Sequence, residues 1–201
     1  MALVLPPLKY DVSALEPYLS RQVVDIHYYK HTVRYFDLAN EELDKFGITV
    51  GADPLTAINN TTFAPSMTLL DNLNQAGNHQ LYWGGLCPPD NCGEPCRALQ
   101  KLITIEFDSI AGLRQSFIDN AMKAVGSHWS QLLIRGNQLR LKNIPNAGSH
   151  LSNAGFTPLI VIDGWEHAYY LQYPAEKRAY LEAVWNLIDW NCVNDRFATI
   201  V

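Results

Sequence analysis

Three histidines and one aspartate carry the clearest chemistry in this chain: His27, His79, and the pair Asp163 and His167 within Asp163-Gly-Trp-Glu-His-Ala-Tyr-Tyr170. Three imidazoles with one carboxylate suit a first-row transition ion with an open coordination position, whereas calcium and magnesium prefer shells built wholly of oxygen. Iron, manganese and zinc are the candidates. A single histidine on an apolar helix face is more often a hydrogen-bonded core residue than a ligand, so spacing alone does not make the case. The combination strengthens it. The Asp-x3-His follows a short apolar run, and each helical histidine has a polar companion one turn away, His31 for His27 and Gln75 for His79.

These residues need rigid elements to bring them together. Ser20 is an N-cap for one long helix over residues 20–46, in which Val24, His27, His31, Tyr35 and Leu38 recur at spacings of three and four. Residues 48–62, polar and containing Gly51 and Pro54, read as a loop. Pro65, in a first helical turn, leads into a second long helix through Met67, Leu70, Leu73, His79 and Tyr82. Gly84-Gly85 and the proline-rich stretch 87–95 form a surface connection, which divides the chain into a helical hairpin (1–86) and a second lobe (87–201). That lobe reads as helices over 96–107 and 109–125, a strand over 129–135, a Gly136-Asn137 turn and a second strand through Leu139 and Leu141. A short buried strand over 159–162 and a closing helix over 175–190, with Leu181, Val184, Trp185, Leu187 and Ile188 on its apolar face, complete it. The expected fold class is α+β: a long helical hairpin followed by a mixed lobe of helices around a small antiparallel three-stranded sheet.

Composition narrows the function classes. With 48% hydrophobic and 17% charged residues the chain is too apolar to stay disordered. A net charge of −5, with 15 basic residues scattered along 201, leaves no basic stripe for a phosphate backbone, so nucleic acid is not an expected partner. The longest uncharged run, residues 143–162, is interrupted by Pro145 and Pro158 and rich in asparagine, and does not make the roughly 20-residue apolar helix that spans a bilayer. The start lacks a basic region and carries Pro6 and Pro7, so no export signal is read and the cytoplasm is the expected location. Cys87, Cys92 and Cys96 cluster without a Cys-x2-Cys pair, and Cys192 lies far away. All four are read as free thiols.

Several motifs in order make the chain resemble the iron/manganese superoxide dismutase family. The strongest is Asp163-Gly-Trp-Glu-His-Ala-Tyr-Tyr170, which differs from the family signature only at Gly164, where valine is usual. Ile26-His-Tyr-Tyr-Lys-His31 with Tyr35, Asn78-His79 with Leu81-Tyr-Trp83, Gly126-Ser127-x-Trp129, and Trp185-Asn186-x-x-x-Trp190 also fit. The resemblance implies that His27, His79, Asp163 and His167 bind one ion per subunit. It implies that His31 and Tyr35 line the gateway for superoxide, a small anionic substrate, and that Trp129 and Trp165 wall the site. It also implies a homodimer, with Glu166 reaching the partner's His167 and Tyr170 meeting the partner's His31. Iron-type members carry, four residues before the second-helix histidine, the glutamine that contacts the metal-bound solvent, which matches Gln75. Manganese-type members supply that glutamine from the later segment, which here reads Asn146-Ala147-Gly148. Iron is therefore the expected metal and manganese the alternative.

The chain departs from the family pattern at Gly164, at His128, which replaces a glycine, and at Gln131, which stands where a second tryptophan is usual. Thr32 and Val33 replace a histidine and a glutamine. Beside the enzyme reading stands a second one: a metal-binding scaffold or interaction subunit of the same fold with little turnover. Tyr169, Tyr170, Trp185 and Trp190 read first as packing residues, and His150 as a surface-loop residue.

Overall fold

A computed structural model of the protein describes residues 2–60, 65–149 and 155–200. The first helical rod begins where Ser20 Oγ accepts the backbone N–H of Val23 and runs to Lys45. Its interior is not uniform. α1 (Arg21–Ile26) passes into a π-helical turn, His27–Thr32, before α2 (Val33–Lys45) resumes the tighter pitch. Gly47, at φ +64°, ends α2, with Ile48 N–H donating to Leu43 O at 2.9 Å. Glycine takes this left-handed conformation without steric cost.

The stretch read as a loop over 48–62 contains a helix, α3 (Pro54–Asn60). The start signal was Asp53 followed by Pro54. The Asp53 carboxylate accepts from Leu55 N, Thr56 N and Thr56 Oγ1, and proline is tolerated in a first turn. Thr61 and Thr62 lie outside the described residues. α3 packs on α4 (Met67–Gly84), and Gln80 Nε2 donates to Asp53 Oδ1 at 2.9 Å. Pro65 precedes α4 instead of sitting in its first turn; the cap is Ser66, whose Oγ accepts from Leu69 N at 3.0 Å. α2, α3 and α4 bury Phe36, Leu43, Ile58, Leu69 and Leu73 in a core of their own.

The connection turns through Pro89–Asn91 and brings Cys87 and Cys92 to a Cα separation of 5.6 Å, where they form a disulfide. This corrects the reading of four free thiols: Cys96 and Cys192 alone remain unpaired. Cys96 stands at the N-cap position of α5 (Arg97–Phe107) without a side-chain bond, and Ser109 Oγ caps α6 (Ile110–Met122) by accepting from Gly112 N. The sheet has order β2-β1-β3, antiparallel throughout, from β1 (His128–Arg135), β2 (Gln138–Pro145) and β3 (Thr157–Asp163). β1, in the middle, is buried along nearly its whole length.

The closing helix expected over 175–190 ends early, as α7 (Lys177–Trp185), and a further helix, α8 (Trp190–Ala198), follows it. Between them the backbone pairs with the end of the hairpin. Cys87 N donates to Leu187 O, Asp189 N donates to Gly85 O, and Leu86 bridges Ile188. Asp189 then caps α8 by accepting from Asn191 N and Cys192 N. A short apolar run such as Leu187-Ile188 fits a helix face and an extended bridge equally well, and the partner decides. No helix among the described residues is long and apolar enough to cross a membrane.

Candidate metal centre

Each of the four candidate ligands is held by a different local device. His27 opens the π-helical turn, in which Val33 N–H reaches Tyr28 O, a five-residue span. The wider turn displaces the ordinary helical bond to the His27 carbonyl, and Thr32 Oγ1 donates to that carbonyl at 3.1 Å. The same hydroxyl accepts from Trp83 Nε1 at 2.8 Å, which pins the turn to α4. Single π turns recur at functional sites for this reason: they offset one residue from the regular face. His79 Nδ1 lies 2.8 Å from Gln75 O. A carbonyl can only accept, so Nδ1 carries the proton and Nε2 presents its lone pair inward.

Asp163 ends β3, and Tyr180 Oη donates to its backbone carbonyl at 2.8 Å. One carboxylate oxygen, Oδ1, accepts from Trp165 N at 2.8 Å and is spent on the turn. The other, Oδ2, faces the three rings: His27 Nε2 at 3.1 Å, His167 Nε2 at 3.2 Å and His79 Nε2 at 3.7 Å. His167 comes from the short 3-10 turn Glu166–Ala168. The four ligand atoms lie within 4.8 Å of one another.

The electrostatics suit a cation. His27, His79 and Asp163 are fully buried. Burial lowers the His27 pKa to about 4, although the neighbouring Asp163 carboxylate pulls the other way. Burial, then the neighbouring His27, lowers His79 to about 3. Both rings are neutral at physiological pH. Burial alone would raise the Asp163 pKa, but His167 and His27 hold it far below the usual carboxylate range, so Asp163 is ionised. His27 Nε2 and His79 Nε2 are buried without a hydrogen-bond partner. Buried lone pairs of this kind are costly unless something accepts them. The neutral rings of His27 and His79, the imidazole of His167 and one ionised carboxylate, gathered this closely, fit a transition-metal cation.

Around these four, the expected neighbours assemble. Trp129 Nε1 donates to Gln75 Oε1 at 2.7 Å, and the Trp129 ring packs edge-on to His79. Tyr35 lies against His79 with ring centroids 5.2 Å apart, and His31 stacks on His167 at 4.1 Å. Trp165 packs 5.7 Å from His167. Glu166 and Tyr170, expected to reach a partner, are exposed. Gln131 is buried and donates to Asn78 Oδ1 at 3.3 Å, while Asn78 Nδ2 donates to Gly148 O. Sequence reasoning counted Thr32 only as a departure and did not single out Tyr180; both tie ligand-bearing backbone in place. A hydroxyl five residues after His27 was the available signal for the first. His150 lies outside the described residues.

A helical hairpin and an α+β lobe that together enclose a His3Asp centre define a class of metal-dependent oxidoreductases. The family model of iron/manganese superoxide dismutases, alpha-hairpin domain, matches residues 2–87, and that of the C-terminal domain of the same enzymes matches residues 95–196. The chain belongs to the iron/manganese superoxide dismutase family. It is 33% identical to a superoxide dismutase [Mn] of Acinetobacter baylyi over 195 residues, covering 95% of this chain and 85% of that one. It is equally 33% identical to a superoxide dismutase [Fe] of Photobacterium leiognathi, covering 98% of this chain and all of the other. A mitochondrial superoxide dismutase [Mn] of Onchocerca volvulus is 34% identical, with 96% and 86% covered.

Proposed function

We propose that this superoxide dismutase works with iron, one ion per subunit, held by His27, His79, Asp163 and His167. The observation that carries the choice of metal is the Gln75 amide. It sits one turn before His79, with Oε1 fixed by Trp129, while position 147 in the later segment carries an alanine, which has no amide. A fixed amide beside the centre shifts the balance between protonation states of bound solvent, and so the redox potential. The overall reaction takes two superoxide anions and two protons to dioxygen and hydrogen peroxide, and the bound ion supplies the one-electron redox chemistry.

The chain's own residues handle access and protons. His31 and Tyr35, half-buried and one turn apart, line the approach. Burial raises the Tyr35 pKa, with the Gln75 amide opposing, so Oη remains a proton donor. Burial and then His167 lower that of His31, so its ring is neutral at physiological pH and can take up a proton. Trp129 and Trp165 wall the centre with apolar surface and keep bulk water from the ligands.

The exposed Glu166 and Tyr170, beside His167, support a homodimer in which both meet the partner. We also place the division between lobes at residues 86 and 87. Against the cytoplasmic location expected from the sequence, the Cys87–Cys92 bond favours a compartment that does not reduce disulfides. The metal is tested by reconstituting metal-free protein separately with iron and with manganese and measuring metal content and turnover. High turnover with iron alone is expected, and Gln75→Gly with Ala147→Gln should raise the manganese form relative to the iron form. Equal or greater turnover of the unaltered protein with manganese would overturn the assignment.

A further inference from the structure

His128 and Gly164 are two departures from the family pattern, and in the fold they touch. His128 is 1% exposed, and Gly164 is buried next to Asp163. A Cβ on Gly164 would lie 2.5 Å from His128 Cε1 and 2.5 Å from Nε2, distances that real side chains do not adopt. The φ of Gly164 is not in the left-handed region. Glycine is therefore required there for space and not for conformation. The contact is with the rigid ring, not the far end of a flexible chain, and Nδ1 of that ring lies 2.9 Å from Gly126 O, which holds it in place. The backbones are joined as well: Gly164 N donates to His128 O at 2.9 Å, and the register continues to Trp129 opposite Asp163.

We propose that His128 is a positioning residue for the metal centre. Its imidazole fills the volume that a side chain at position 164 would occupy and so fixes the turn that aims Asp163 and His167. The coupling runs through two short links. The ring bears on the Gly164 backbone, and Asp163 Oδ1 is tied to Trp165 N across that same residue. Any shift of Gly164 therefore rotates the carboxylate whose Oδ2 faces the three histidines. The two departures are one exchange, a ring at 128 for a side chain at 164. This inference rests on the reading of the four residues as a metal centre.

The test introduces Gly164→Ala in the parent and in a His128→Ala background. Melting temperature is read on metal-free protein, affinity in competition with a chelator, and the iron-loaded forms by electron paramagnetic resonance. In the parent, Gly164→Ala should lower the melting temperature and cost about 10- to 100-fold in metal affinity, as loss of a ligand's support does. In the His128→Ala background the same change should leave the melting temperature unchanged or raise it, because the space is open and alanine restricts the unfolded chain. His128→Ala alone should alter the resonance spectrum, and Gly164→Ala added to it should move the spectrum back toward the parent. Equal costs in both backgrounds would overturn the proposal, as would coupling in melting temperature with none in metal affinity. If Gly164→Ala alone does not fold, folding of the double variant supports the pairing and its failure overturns it. A parent that binds neither iron nor manganese, yet shows the melting coupling, would instead overturn the metal reading on which the positioning role depends.

Discussion

At the scale of single residues, the fold holds His27, His79 and Asp163 in their unprotonated forms. His27 and His79 sit at about 4 and about 3 against an ordinary 6.5 because burial penalises the imidazolium. Without a metal ion, both rings are neutral in the folded state while the unfolded chain binds a proton at each as pH falls below 6.5. Folded-state pKa values that are lowered contribute stability that is complete above the unfolded value and is lost on acidification toward the folded one. Metal-free protein should therefore lose about 1.4 kcal/mol of stability per pH unit for each of these histidines between about pH 6 and pH 4. Denaturant titrations across that range, on the parent and on His79→Gln, check this. The parent should show the steeper slope by about that amount, and identical slopes would mean that His79 is not buried in neutral form.

At the scale of elements, the π-helical turn and its hydroxyl pin matter most. Thr32 Oγ1 donates to the His27 carbonyl and accepts from Trp83 Nε1, with donor and acceptor both buried. Thr32→Val preserves shape and removes both bonds, leaving a buried indole N–H unpaired and the His27 carbonyl without its side-chain donor. A loss of roughly 1–3 kcal/mol follows from stranding such groups, together with weaker retention of the ion at His27. Urea titration and metal analysis of the same sample measure the two effects; a stability change under about 0.5 kcal/mol would show that the pin is dispensable. The break between α7 and α8 is the second device. It pairs Leu187 and Asp189 with Cys87 and Gly85 and locks the closing helices onto the end of the hairpin.

For the whole molecule, the division of the four candidate ligands between the two halves of the chain is decisive. His27 and His79 come from the hairpin, and Asp163 and His167 from the sheet and the turn after it, so the centre exists only when the halves dock. Near His167, Glu166 is exposed, and Tyr170 and Leu171 are 48% and 56% exposed, an apolar rim beside a charge that suits a self-complementary contact. In the proposed homodimer Glu166 crosses to the partner's metal ligand. Glu166→Ala should then raise the protein concentration needed for dimerisation by about tenfold or more and lower turnover with it. Sedimentation velocity over a dilution series, paired with activity, reads both. A dimer as tight as the parent's, with full turnover, would place the interface elsewhere.

Some of this was determined by the amino-acid sequence alone, because the signals are local. Ser20 and Ser109 announce helix starts through their own hydroxyls, the Gly136-Asn137 turn followed by alternating Leu139 and Leu141 marks a hairpin, and the ordered motifs around His27, His79, Asp163 and His167 carry the candidate ligand chemistry. Other features were settled only by packing. The π turn depends on an indole from α4, and the end of α7 depends on backbone partners a hundred residues away. The Cys87–Cys92 bond depends on how a proline-rich connection folds back on itself. His128 and Gly164 read separately as two defects, and only the sheet brings the ring over the glycine. Periodicity and capping act over a few residues and are written in the chain, whereas steric exchange and hydrogen bonding between distant segments take a value only once the tertiary structure makes them neighbours.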